Sequence, residues 1–197
     1  MQKTKKHQLA RDLVHALRGE LTIYNFANTA QEKDAVVLSM IKLIDRADIL
    51  MRIQDVEIKH THLNFDEIVK GVYEKFAEER LQLSLASNIV HGDKDLLVTM
   101  LEELISNALR FTEGDVFVST HFTNKNIVFR IEDIGEGISK AVLAHMGNPF
   151  VASDDDRSGH GLGLSIVWAI VQLHGGAMTI HSDKDSGTTI LITLDLV

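Results

Sequence analysis

The chain has 197 residues, a formal net charge of −8, one proline and no cysteine. Its length allows one large or two small domains, and an apolar fraction of 45% suits a chain that folds around a core. These features exclude a disulfide framework and a thiolate metal site, argue against non-specific nucleic-acid binding, and leave no apolar run of the ~18 residues that a membrane span needs.

The opening Met1-Gln2-Lys3-Thr4-Lys5-Lys6-His7 leads into an amphipathic pattern, not an apolar one, so no signal peptide is expected. Together with the missing cysteines this predicts a cytoplasmic chain. Residues 7–27 read as a helix with Leu9, Leu13, Leu17, Leu21 and Tyr24 on one stripe. A turn at Asn28-Thr29-Ala30-Gln31 leads to a second helix over 32–57. Its apolar face carries Met40, Ile44, Ala47 and Met51, widened by Val37, Ile41 and Leu50. Two long helices joined by so short a turn are antiparallel neighbours. Such a hairpin cannot hide both stripes alone, and pairing two hairpins in a four-helix bundle does so, which predicts a homodimer.

From residue 60 the pattern changes, giving two domains, 1–59 and 60–197. Asn64, followed by Glu67, starts a helix over 65–79. Strands follow at 81–86 and 89–91, then a helix over 94–111 led by Asp93. Strands at 115–122 and 126–133 form a hairpin, and a loop spans 134–160. A helix over 161–174 ends at Gly175-Gly176, and strands at 177–182 and 188–196 close the chain. The expected fold is α+β: a helical hairpin followed by an α/β sandwich with a mixed sheet. The acidic run Asp154-Asp155-Asp156 reads as a solvated loop.

Four short segments in this second region carry the chemistry. They are Glu103-Leu104-Ile105-Ser106-Asn107-Ala108, Asp133-Ile134-Gly135-Glu136-Gly137-Ile138, Asn148-Pro149-Phe150 and Gly159-His160-Gly161-Leu162-Gly163-Leu164. Glu103 and Asn107 are four apart on a predicted helix and share a face. The glycine-rich run feeds directly into the apolar pattern Ile166, Val167, Ile170 and Val171, so it presents free backbone N–H groups at a helix N-terminus, where phosphates bind. No Gly-Lys-Ser/Thr follows, so this is not a P-loop, and no strand of a βαβ unit precedes it, so it is not a dinucleotide fingerprint.

In this order and at this spacing the segments resemble the N, G1, F and G2 boxes of the superfamily of gyrase, the large heat-shock chaperone, histidine kinases and MutL. The resemblance covers roughly residues 60–197 and implies an ATP-binding domain. Asn107 then corresponds to the residue that holds Mg²⁺, which an amide oxygen suits. Glu103 stands where histidine kinases usually carry asparagine and where the gyrase-like and MutL-like ATPases carry a water-activating glutamate. It is a second metal ligand, through water, or a general base. Arg110 matches a basic position that meets phosphate. Asp133 accepts the exocyclic amine of adenine, with Gly135 and Gly137 allowing close approach. Phe150 anchors the loop, and Gly159, His160, Gly161, Leu162 and Gly163 surround the phosphates.

The segment Val14-His15-Ala16-Leu17-Arg18-Gly19-Glu20-Leu21-Thr22 resembles the kinase H box, His-Glu-Leu-Arg-Thr-Pro-Leu-Thr. His15 lies about 200° from both Leu13 and Leu17 and so points away from the stripe. The resemblance implies a histidine kinase core that autophosphorylates His15 and passes the phosphoryl group to a response-regulator receiver aspartate. Three positions depart from the pattern. Ala16 replaces a carboxylate that orients the imidazole, Gly19 replaces a polar residue, and Glu20 replaces a helix-bending proline. Asp12, a neighbour at i−3, is a substitute for the missing carboxylate. The alternatives are a regulatory adaptor that binds ATP without efficient autokinase activity, favoured by Ala16 and Gly19, and a gyrase-like or anti-sigma-like ATPase or serine kinase, favoured by Glu103.

Overall fold

The computed structural model describes residues 2–86, 89–123, 125–151, 160–184 and 186–195. The chain divides into two compact units. One comprises residues 1–56 and 146–166, the other residues 57–145 and 167–197.

The first unit is built on helices α1 (Gln2–Phe26) and α2 (Ala30–Ile53). The turn between them is fixed by a capping box that the sequence contains as Thr-x-x-Glu. Glu32 N–H donates to Thr29 Oγ1 at 3.1 Å, and Glu32 Oε2 accepts from Thr29 N–H at 3.0 Å and Asn28 N–H at 2.7 Å. Those backbone donors hold the Glu32 carboxyl below its usual range. At the open end Lys6 pairs with Asp55. The face of α2 that is buried within the chain consists of Val36, Leu43, Ala47, Leu50 and Ile53. Only Ala47 and Leu50 belong to the expected stripe. Val37, Ile41 and Ile44 are 42%, 49% and 48% exposed, and Leu21 on α1 is 51% exposed. The helix is apolar on two sides, so periodicity alone does not show which side meets α1.

The second unit is a five-stranded mixed sheet in the order β2-β4-β5-β7-β6, with a small β1-β3 ribbon. The strands are β1 (Thr61–Asn64), β2 (Leu81–Ser84), β3 (Ile89–Gly92), β4 (Val116–Phe122), β5 (Asn126–Asp133), β6 (Ala177–Ser182) and β7 (Thr188–Asp195). Only β2 and β4 run parallel, and the other pairs of that sheet are antiparallel. Strand β5 alternates strictly, burying Ile127, Phe129, Ile131 and Asp133. Helix α3 (Phe65–Phe76) and helix α4 (Lys94–Phe111) supply Phe65, Val69, Leu97, Leu101, Leu104 and Ile105 to the core. The Phe65 and Phe129 rings meet edge to face at 6.1 Å.

Helix α3 is capped by Asn64, as the sequence predicts, and ends three residues short of the expected 79, where Ala77 turns left-handed. Helix α4 has the expected bounds, and its cap Asp93 accepts from Asp95 and Leu96 N–H. Ribbon strand β1 and the four-residue α5 (Lys140–Leu143) carry no periodic signal of their own and lie where the sequence suggests irregular chain. Helix α6 (Gly163–Leu173) begins two residues later than expected. The acidic run at 154–156 lies outside the described residues.

Candidate nucleotide-binding site

Helix α4 presents Glu103 and Asn107 one turn apart. Glu103 is 8% exposed and Asn107 is half-buried. A carboxylate held this deep on a helix is not the solvated side chain of an ordinary surface glutamate. Arg110, a further turn on, is exposed, and its guanidinium lies 4.4 Å from the centre of the Phe111 ring. The carboxylate and amide oxygens are the hard donors that Mg²⁺ takes.

Asp133 ends β5 and is 8% exposed. Burial pushes its carboxyl above the usual range, opposed by hydrogen bonds from Gly135 and Thr188 N–H, while Glu132 pushes it further up. Gly135 N–H donates to Asp133 Oδ1 at 2.9 Å. The glycines of this turn are sterically required. A Cβ on Gly135 would lie 2.2 Å from the Phe111 carbonyl oxygen, and one on Gly137, whose φ is +72°, 2.1 Å from that of Asp183.

Ser182 completes the support. Its hydroxyl accepts from Ile138 N–H at 2.7 Å, donates to the Gly187 carbonyl at 2.9 Å, and lies 2.9 Å from Thr188 Oγ1. Sequence reasoning does not single out Ser182, which lies 44 residues from the turn it holds.

In the other unit, Phe150 and His160 both adopt positive φ, +63° and +54°. Phe150 is half-buried. Gly161 has φ +63°, and a Cβ there would lie 2.4 Å from the Val151 carbonyl oxygen. Leu162 is fully buried and Gly163 opens α6. Gly159 lies outside the described residues. The His160 imidazole is engaged: its Nε2 donates to Glu20 Oε1 at 2.7 Å. In the same unit His15 is exposed on α1, as its helical phase predicts. Asp12 Oδ1 accepts from Gln8 Nε2 at 2.8 Å.

Residues 92–197, more than half of the chain, match the family described as histidine kinase-, DNA gyrase B- and HSP90-like ATPase. The chain belongs to this family. Among its relatives, the sensor histidine kinase YclK of Bacillus subtilis is 34% identical over 66% of this chain and 30% of its own length. The heme sensor protein HssS of Staphylococcus saprophyticus is 27% identical over 97% of this chain and 45% of its own length. This chain thus spans less than half the length of either relative. Its fold is shared with the histidine kinase AdeS of Acinetobacter baumannii, at TM-score 0.73 and 23% identity over 95% of this chain and 96% of that one. It is also shared with full-length ShkA in complex with AMPPNP, at TM-score 0.67 and 21% identity over 98% of this chain and 45% of that one. The ATPase-family domain with a helical hairpin ahead of it has the architecture of the catalytic cores of histidine kinases. Among the described residues, no helix is long and apolar enough to cross a membrane.

Proposed function

We propose that this chain is the autokinase core of a sensor-type histidine kinase, with domains at 1–59 and 60–197, that phosphorylates His15 from Mg·ATP. The observation that carries this reading is an exposed His15 on the hairpin of a chain whose residues 92–197 match the ATPase family. Asp133 accepts the adenine amine and sets the base. Asn107 and Glu103 would hold Mg²⁺, which would supply neutralisation of the phosphate charge. Arg110 and the backbone N–H groups of residues 160–163 meet the phosphates, and Phe150 anchors the segment before them. One imidazole nitrogen of His15 forms the bond to the γ-phosphorus as the bond to the β–γ bridging oxygen breaks. ADP leaves, and the ring proton passes to a base, for which Asp12 is the neighbour at i−3. Catalysis is mostly positioning and charge neutralisation. The phosphoryl group then passes to a receiver-domain aspartate of a response regulator, and the exposed second faces of α1 and α2 form a homodimer. The setting is cytoplasmic.

Incubation with γ-labelled ATP should give acid-labile, base-stable label that His15→Gln removes. Ala16 and the Gln8–Asp12 hydrogen bond favour a second reading, a regulatory adaptor, because both leave the imidazole short of a carboxylate. ATP binding without any transfer would select it.

A further inference from the structure

Glu20 is the one charged residue of α1 and α2 that is buried among the described residues, at 6% exposure. Its Oε1 accepts from Ser39 Oγ at 3.1 Å and from His160 Nε2 at 2.7 Å. The side chains of His160 and Glu20 are only 10% and 8% exposed. A buried carboxylate is costly unless hydrogen-bonded and paired, so an arrangement that supplies both partners is held strongly in place. Ionised carboxylates only accept, which fixes His160 as the donor.

The far end of this contact matters because of the backbone around it. His160 has φ +54° and Gly161 φ +63°, two left-handed residues in succession. Glycine adopts that conformation freely, but histidine does so at a cost and persists there only when its surroundings over-determine it. The Val151 carbonyl packs against Gly161 so closely that no Cβ fits, which fixes one of the two. Glu20 fixes the other through the imidazole. The turn they define leads straight into the start of α6, a helix N-terminus whose first N–H groups have no partner within the helix.

We infer that Glu20 is a positioning residue for the nucleotide phosphates: by holding the His160 imidazole it fixes the left-handed turn that presents the phosphate-binding N–H groups, and it ties that turn to the helix that carries His15. Glu20 lies five positions after His15, about 7.5 Å along α1. The inference rests on the ATP-dependent kinase reading and names a residue outside the nucleotide boxes.

The test is a comparison of ATP with adenosine, which has the base but no phosphate, by calorimetry on the full chain. Glu20→Gln keeps the shape of the side chain and removes its charge. It should weaken Mg·ATP binding about tenfold and raise the ATP KM for labelling by the same factor, with adenosine affinity unchanged. His160→Ala should show the same selective loss, and the double variant should be no worse than either single one. Ser39→Ala, which removes only the second donor, should bind ATP as the parent does. Equal loss for ATP and adenosine overturns the inference, since it marks general damage. Unchanged or tighter ATP binding in Glu20→Gln also overturns it. A parent that binds no ATP defeats the kinase reading itself, whereas a parent that binds beside a Glu20→Gln variant that binds equally well defeats this inference alone.

Discussion

Asp133→Asn separates function from stability because the two should move in opposite directions. In the free protein the Asp133 carboxylate is buried, and burial raises its pKa. A folded value above the unfolded ~3.9 means that the stability present below that pH is lost as pH rises through the folded value. At neutral pH the ionised side chain therefore costs stability, about 1.4 kcal/mol for every tenfold by which folding tightens its hold on the proton. Asparagine keeps the oxygen that accepts from Gly135 N–H and drops the charge. The variant should thus match the parent in stability near pH 3 and exceed it at pH 7, measured by urea denaturation. For the nucleotide the effect reverses. The adenine amine loses a charged acceptor, worth ~1.5–3 kcal/mol, or roughly ten- to a hundredfold in affinity, and more where the new amide N–H₂ faces it. Calorimetry with Mg·ATP and Mg·GTP measures this. Unchanged ATP affinity, or a parent that prefers GTP, would refute the adenine contact. Loss of stability at pH 7 would refute the account of Asp133 as a strained functional carboxylate.

Other consequences follow from particular contacts. Gly135→Ala places a methyl group 2.2 Å from the Phe111 carbonyl oxygen and should destabilise the fold by about 1–3 kcal/mol, visible as a lower urea midpoint. Burial holds His174 below the usual histidine pKa, its Nδ1 donating to the Ile170 carbonyl and its Nε2 accepting from Asp93 N–H. The unfolded chain therefore binds a proton that the folded one resists as pH falls from ~6.5, so acidification from pH 7 to 5 should destabilise the parent more steeply than His174→Gln in urea titrations. Leu38 and Ile41, 59% and 49% exposed on α2, should lie in the dimer interface, and the Leu38→Glu/Ile41→Glu double variant should sediment as a monomer where the parent sediments as a dimer. Ala16→Glu should raise the rate of His15 labelling, up to ~10²-fold, and Asp12→Asn should slow it less in that background than in the parent.

Where two levels of signal coincide, the sequence defines the elements closely. Helix α4 has both a cap, Asp93, and a one-sided apolar stripe, and its expected and observed bounds agree. Strand β5 alternates over its whole length and its bounds agree as well. Helix α2 has a stripe but no unique one. Val36, Leu43 and Ile53 are buried within the chain while Val37, Ile41 and Ile44 are exposed, because a helix with two apolar faces gives periodicity no phase to lock onto. The Thr29–Glu32 capping box was legible as a pattern, yet in the sequence it reads as part of a turn. The acidic and glycine positions of the candidate site were legible through their spacing. Their support was not: Ser182 and Glu20 act across 44 and 140 residues of chain, and no local pattern encodes such a pairing.

The departures from the H box make more sense together than one at a time. A proline at position 20 would remove a helix hydrogen bond and kink α1. With glutamate there, α1 runs unbroken from Gln2 to Phe26, and a side chain becomes available where proline has none to offer. That side chain is buried and reaches both Ser39 on α2 and His160 in the glycine-rich turn. Gly19 beside it has open space around the position of a Cβ, so its smallness is not forced by packing. The substitution at 20 thus exchanges a bend in the acceptor helix for a polar tie between that helix and the turn at residue 160. By contrast, the carboxylate lost at 16 is replaced less directly, by Asp12 one turn back, whose Oδ1 also accepts from Gln8. The two substitutions therefore act on different steps. On the proposed kinase reading, the one at 20 bears on how phosphate is held, and the one at 16 on how readily His15 attacks it. Nucleotide affinity and labelling rate should accordingly respond to them separately.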